Sequence, residues 1–310
     1  ASADADRLIC AFCRAGQWAL GELNLQTLAF RIFDLPFTEI SSVTAAPSLP
    51  NSAFFIGGSP TLPASIIRLD LISGQPEILR RSADLPFDPA FISTPQSIEF
   101  PTTGGGTAYG FYYPPHNPDF VAPPGEKPPL LVLSHGGPTS AASSTLNLKI
   151  QFWTTRGIAV LDVNYRGSSG YGRGYRELLK GAWGVADVDD CVAGARFLAR
   201  SGEVDERRLA ISGGSAGGYT TLSALAFRGV FRAGTSYYGV GDLETLATDT
   251  HKFESRYLDG LVGPYPAQRD LYRARSPLHH AEQISCPILL LQGLEDRVVP
   301  PNQSAGMFAA

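Results

Sequence analysis

Arg208-Leu-Ala-Ile211 runs directly into Ser212-Gly-Gly-Ser-Ala-Gly-Gly-Tyr219, and the fold is decided by how these twelve residues are read. Residues 208–211 form a short, largely apolar run of the kind that makes a buried strand. From Thr220 onward Leu222, Leu225 and Ala226 recur at helical spacing, so a helix packed on a sheet follows. Between strand and helix the chain must reverse within a few residues and hold Ser215 in a strained conformation. Glycines at 213 and 217 remove side chains that would clash in such a turn. A G-x-S-x-G sequence on its own is a common Gly/Ser loop. Set between a strand and a helix it is a nucleophile elbow, which lifts the Ser215 hydroxyl clear of the sheet.

Outward from the elbow, strands and helices alternate. Leu130-Leu-Val-Leu133 reads as a strand, Thr145 to Thr155 as a helix, and Ile158 to Val163 as a second strand. Asp187 to Arg200 reads as a helix with Val188, Cys191, Val192, Ala195 and Leu198 on one face and acids in its first turn. After the elbow helix come strands at Arg232 to Tyr238 and Ile288 to Leu291. This alternation predicts an α/β domain with a doubly wound, mostly parallel sheet over residues 129–310. Residues 1–85 differ: short strand candidates such as Gln17 to Leu25 and Ser65 to Leu71 are separated by turn signals. Ser73-Gly74 followed by Glu77-Ile-Leu79 adds a hairpin pattern. No helical period appears, so an all-β region of sandwich or propeller-blade type is expected there. Residues 86–128 are proline-rich and read as a linker carrying an edge hairpin.

At 310 residues the chain is long enough for about two domains, and 44% apolar with 17% charged residues is ordinary globular composition. The net charge of −4 gives no electrostatic case for nucleic acid or an anionic membrane. No apolar run approaches the ~18 residues of a membrane span. Cys10 and Cys13 have C-x-x-C spacing, but they fall in an apolar strand-like run where positions three apart face opposite sides. No second Cys/His pair follows at ligand spacing, so neither metal nor other cofactor is expected, and reduced thiols point to a cytoplasmic setting.

Two further loops carry chemistry at strand ends, where ligands bind in such sheets. His135-Gly-Gly-Pro138 follows the strand at 130–133, and its Gly137 N–H can serve as a fixed donor to a developing oxyanion. The N–H of Ala216, beside the nucleophile, supplies the second donor. His135 precedes the nucleophile in chain order and reads as a residue shaping this loop. Gln292-Gly-Leu-Glu-Asp-Arg297 follows the last strand, placing Asp296 81 residues after Ser215. In the order serine, acid, histidine, an acid here orients the imidazole. Asp296 is the better placed, three residues past Gly293 and four before Pro300, with Glu295 the competing candidate. Only 14 residues follow Asp296 and none is histidine. The five histidines are His116, His135, His251, His279 and His280, none at a position expected for the base.

Taken together, His135-Gly-Gly-Pro138, Asn164-Tyr-Arg-Gly-Ser-Ser-Gly-Tyr-Gly172, Trp183-Gly-Val-Ala-Asp-Val-Asp-Asp190, Gly213 to Gly218 and Gln292 to Arg297 resemble the prolyl oligopeptidase family of serine peptidases. The likeness is strongest to acylaminoacyl- and dipeptidyl-peptidase-like bacterial members and covers nearly all of 86–310. It implies an α/β-hydrolase domain preceded by a β-propeller, with residues 1–85 as its last blade or two. It further implies Ser215 as nucleophile, Asp296 as acid, and Gly137 and Ala216 as oxyanion donors. Arg297, Val240 and Tyr219 are implied as substrate contacts, with Val240 in the Tyr238-Gly-Val-Gly-Asp242 segment.

Family members carry their histidine beyond the acid, after one more strand. The chain is therefore expected to be a C-terminal portion cut at both ends, lacking that last strand and the base, and inactive alone. The expected activity of the intact protein is hydrolysis of short or N-blocked peptides through an acyl-enzyme, without a cofactor. A carboxylesterase and a non-catalytic binding protein are the alternatives.

Overall fold

The computed structural model describes residues 6–46, 48–85, 87–249 and 256–310; His251 lies outside them. The chain divides into two compact units, Ala1–Pro95 with Ser143–Phe152, and Gln96–Ala142 with Trp153–Ala310.

The first unit is built from antiparallel strands, with no helix among the described residues of 6–85. Strands β1 (Arg7–Arg14), β2 (Gln17–Asn24) and β3 (Phe30–Ile32) form a three-stranded sheet. A second, four-stranded sheet contains β4 (Glu39–Ala45), β5 (Ser52–Ser59), β6 (Leu62–Asp70) and β7 (Pro76–Arg81) in that order. The alternation in β6 places Ile67 and Leu69 inside, where they join Leu20, Ile40 and Phe55 in one core. The expected hairpin is β6 to β7. Its turn is closed by Asp70, whose Oδ1 accepts from the Ile72 and Ser73 N–H groups at 3.0 and 2.7 Å. Four-stranded antiparallel sheets of this kind are propeller-like.

The second unit carries a seven-stranded sheet. Its strands are β8 (Gln96–Pro101), β9 (Thr107–Tyr113), β10 (Leu130–Ser134), β11 (Ala159–Asn164), β12 (Leu209–Gly214), β13 (Ala233–Tyr237) and β14 (Ile288–Leu291), in the order β14-β13-β12-β10-β11-β9-β8. The five from β11 to β14 in that order are mutually parallel, while β8 and β9 add an antiparallel hairpin at one edge. The proline-rich stretch thus contributes two strands to the main sheet as well as connecting segments. The alternation of strands and helices read from the sequence is what the structure contains.

Helix α1 (Leu148–Thr154) is shorter than the helix expected at 145–155. Asn147 accounts for its start, because its side-chain oxygen accepts from the Lys149 N–H at 3.0 Å. Capping of this kind favours a helix that begins just after the cap. Helix α2 (Arg173–Glu177) is a single turn. Helix α3 (Ala186–Arg200) buries Val188, Cys191, Val192, Ala195 and Leu198, the face its period predicts. Helix α4 (Ala216–Phe227) follows the elbow and is buried from Ala216 to Ala226. An apolar helix without a polar face is what a site under the middle of a sheet requires. The remaining helices are α5 (Leu243–Asp249), α6 (Tyr257–Leu261), α7 (Arg269–Ala274) and α8 (Asn302–Ala309). Among the described residues no helix is long and apolar enough to cross a membrane.

Candidate active site

Strand β12 is central in the sheet, and Ser215 lies at its carboxyl end as the residue before α4. Its backbone has φ 56° and ψ −123°, a combination that costs a non-glycine residue of order 1–3 kcal/mol and is held only by its surroundings. Part of the restraint is the Ser215 N–H, which donates to the Tyr237 carbonyl at 3.0 Å. The two flanking glycines are sterically required. A Cβ on Gly213 would overlap the Gly217 carbonyl, and one on Gly217 would overlap the Ser134 carbonyl. The elbow is therefore pressed against the end of β10 with no room for side chains. Because α4 starts at Ala216, the first N–H groups of the helix have no intrahelical acceptors and point into the space around Ser215.

The loop after β10 brings Gly137 to the same place. Gly137, Pro138, Ser215 and Ala216 share the lining of one recess of about 490 Å³, counting the solvent at its mouth. The rest of its wall comes from Trp183, Val240, Leu246, Tyr257, Leu258, Val298 and Val299. Among the described residues no charged side chain lines it, so this lining fits an uncharged, largely apolar group. Tyr257 also fixes the loop after β10, since its hydroxyl donates to the Gly137 carbonyl at 2.9 Å.

His135 does not face this recess. Its Nδ1 is 2.8 Å from the Gly136 carbonyl, which can only accept, so the proton belongs on Nδ1. Nε2 lies 2.7 Å from the Ser168 hydroxyl, which is also 2.7 Å from the Tyr165 carbonyl. The ring stacks on Tyr165 at 4.2 Å, and the Tyr165 hydroxyl donates to the His135 carbonyl. Burial pushes the imidazole pKa down to about 4, so it is neutral at pH 7. Both nitrogens are committed to holding the loop.

Asp296 is half-buried in the loop after β14. Its Oδ1 accepts from the Val298 and Val299 N–H groups at 2.8 and 3.0 Å. These bonds shape the turn that presents both valines to the recess, and they leave the second carboxylate oxygen open. Glu295 and Arg297 are exposed, and neither makes a side-chain hydrogen bond or ion pair among the described residues. Val240 lines the recess as expected from its segment. Tyr219 does not reach it. That side chain is fully buried, its hydroxyl donates to the Arg275 carbonyl at 2.9 Å, and its ring packs on Trp183 at 4.5 Å. Tyr219 backs the recess wall and cannot touch what the recess holds.

Trp183, Leu246, Tyr257, Leu258, Val298 and Val299 were not legible as site residues. They are ordinary apolar residues in four different segments, and only their convergence marks them. Nor does any described histidine line the recess. His280 packs edge-on against Phe227, at the far end of α4 from Ser215. The Nε2 of His279 lies 3.5 Å from Asp242.

A strand–turn–helix with a strained serine at the end of the central strand of a mostly parallel sheet, beside a Gly-Gly loop after the next strand, is the arrangement of the α/β-hydrolase fold. The chain belongs to the prolyl oligopeptidase family, whose sequence profile matches residues 144–310. It is 33% identical over 182 residues to a dipeptidyl aminopeptidase BIII of Pseudoxanthomonas mexicana, covering 57% of this chain and 26% of that protein. It is 31% identical over 182 residues to an acylamino-acid-releasing enzyme of rice, covering 56% of this chain and 24% of that one. Among solved structures, a puromycin-hydrolyzing peptidase of Mycobacterium tuberculosis matches all of this chain and 47% of its own, with 44% identity and a TM-score of 0.96. The chain thus spans a quarter of these curated relatives and just under half of the solved one.

Proposed function

We propose that the intact protein is a serine peptidase that hydrolyses short or N-blocked peptides, with Ser215 as its nucleophile. The observation that carries this reading is Ser215 at φ 56°, wedged between two sterically required glycines at the mouth of an apolar recess. Strain of this kind persists only where the surroundings impose it, and here it aims one hydroxyl at one pocket.

In the reaction, the Ser215 oxygen attacks the peptide carbonyl and its proton passes to a general base. The carbonyl oxygen becomes an oxyanion, accepting from the N–H groups of Gly137 and Ala216. The amine leaves with the proton returned by the base, and water then hydrolyses the Ser215 ester by the same steps. The base in this reading is a histidine that the described residues do not supply, oriented by the open carboxylate oxygen of Asp296. The side chain on the acyl side enters the recess between Trp183 and Val240. Arg297, exposed and free of partners among the described residues, is placed to hold a substrate carbonyl. Four free cysteines support a reducing compartment such as the cytoplasm.

The test is fluorophosphonate labelling of the intact protein, followed by rates on matched peptide and ester substrates. Labelling at Ser215, its loss in Ser215→Ala, and turnover of peptides support the proposal. Ester turnover alone makes the protein a carboxylesterase. A folded protein that does not label at Ser215 has a binding role instead.

A further inference from the structure

We infer that Gln303 is a positioning residue that sets the width of the acyl side-chain pocket by clamping the loop that carries Val240. This rests on the function proposed above. Gln303 lies on α8 and is 3% exposed. Its Oε1 accepts from the N–H groups of both Gly241 and Asp242, each at 2.8 Å. Its Nε2 donates to the Asp242 carbonyl at 3.0 Å. One side-chain amide thus takes up three backbone groups of a loop that has no regular structure of its own. Val240, the residue just before the clamped pair, is 2% exposed and lines the recess.

The same helix presses on the loop and holds a second wall. Met307 lies one turn after Gln303, and its Cγ is 2.6 Å from where a Cβ on Gly241 would be, so only glycine lets the helix approach this closely. Ser304 donates to Gln292 Oε1 at 2.9 Å, and Gln292 Nε2 donates to the Val299 carbonyl at 3.0 Å. Val299 also lines the recess. Successive helical residues point about 100° apart, which is why neighbours 303 and 304 can serve two different loops. The separation of Val240 and Val299 is therefore fixed by one rigid helix directly after the Asp296 loop.

Without the Gln303 amide, two buried N–H groups lose their acceptor, and the loop keeps only the bonds its carbonyls accept from Leu246 and Leu278, so it can shift outward. The pocket then accepts larger groups. One methylene in an apolar pocket changes selectivity by roughly 10–200-fold, so small movements of this wall are readable in kinetics.

The experiment compares kcat/KM in the intact protein for two peptides that differ only in a small or a large apolar side chain on the acyl side. In Gln303→Ala the ratio of large to small is expected to rise about tenfold. Fluorophosphonate labelling of Ser215 by a small probe, which needs the elbow but carries no acyl side chain, should change less than about threefold. Gln303→Glu keeps an acceptor for both N–H groups but turns an oxygen that cannot donate on the Asp242 carbonyl, so it should move the ratio in the same direction as Gln303→Ala by a smaller factor. Met307→Ala should shift it in the same direction as Gln303→Ala. Amide exchange at Gly241 and Asp242, read by mass spectrometry, should quicken in Gln303→Ala whether or not the protein is active.

An unchanged ratio in folded Gln303→Ala overturns the proposal. So does a parallel loss of both substrates and of labelling, which is the mark of a general structural defect. If Gln303→Ala does not fold, Gln303→Glu and Met307→Ala decide by the same ratio. Wild-type protein that does not label at Ser215 overturns the function itself, and no specificity role then remains for Gln303.

Discussion

At Ser215 and its neighbours, single atoms decide whether the site exists. The Cβ of an alanine at 217 would occupy the space of the Ser134 carbonyl oxygen. Overpacking of this kind typically costs about 1–3 kcal/mol, occasionally more. Gly217→Ala is therefore expected to lower the urea midpoint and to abolish fluorophosphonate labelling together. Retention of full labelling would show that the elbow tolerates a side chain. His135 gives a pH-dependent prediction. Its pKa falls from 6.5 unfolded to about 4 in the folded chain, so the unfolded state takes up the proton first on acidification. The stability it contributes is complete above about pH 6.5 and is lost as pH falls toward 4, at most about 3 kcal/mol at 1.36 kcal/mol per unit. Denaturant unfolding from pH 8 to 4 should show this slope, and His135→Gln should flatten it.

Helix α3 shows how an element can mislead when read alone. Acids in a first turn are ordinarily solvated partners of the helix dipole, yet Asp187 in that turn and Asp190 just beyond it are both 0% exposed. Asp187 accepts from the Gly184 N–H at 2.7 Å and from the Thr220 hydroxyl at 2.5 Å, tying the start of α3 to α4 beside Trp183. Among the described residues no cation reaches it, and burial pushes its pKa up to about 6. A raised carboxyl pKa stabilises the fold below its unfolded value, and that contribution disappears as pH rises through about 6. Asp187→Asn, which keeps an acceptor for Gly184, should therefore gain stability relative to wild type at pH 8 compared with pH 5, seen as converging melting curves on acidification. Asp190 is held differently. Arg166 reaches it through Nε and Nη2 at 2.8–3.1 Å, the Arg166 N–H donates at 2.6 Å, and Thr102 donates at 2.6 Å. Together these pin the loop after β11 to α3 and to the β8–β9 hairpin. Arg166→Ala leaves a buried carboxylate without its cation, a change that costs about 3–5 kcal/mol and should appear as a matching drop in unfolding free energy.

At the scale of the whole fold, β14 is the end strand of the described sheet, next to the site. Among the described residues it pairs with β13, and Leu289 and Leu291 on one of its faces are 54% and 39% exposed. An uncovered apolar edge strand is a template for association. The chain is expected to self-associate as concentration rises, and Leu289→Lys should reduce that association in light scattering without changing the unfolding midpoint by more than a degree or two. Equal association in the variant would place the contact elsewhere.

The parts of this protein legible from sequence were those set by local rules. Strand and helix period, the glycines of the elbow, and loops at strand ends depend on neighbours within a few residues. Ser215, Gly137, Ala216 and Asp296 could be placed on that basis, as could the face of α3. Three features could not. The start of α1 depends on one asparagine cap. Tyr219, four residues after Ser215, is turned by α4 into the core to support Trp183. The recess is assembled from residues as distant as Pro138 and Val299, each unremarkable in its own segment. Sequence alone determined the α/β class and the backbone turn at Ser215, because tight backbone turns admit so few residue types. Only the tertiary structure decided the pocket, the burial of Asp187 and the clamp at Gln303, because those depend on which distant surfaces the sheet brings together.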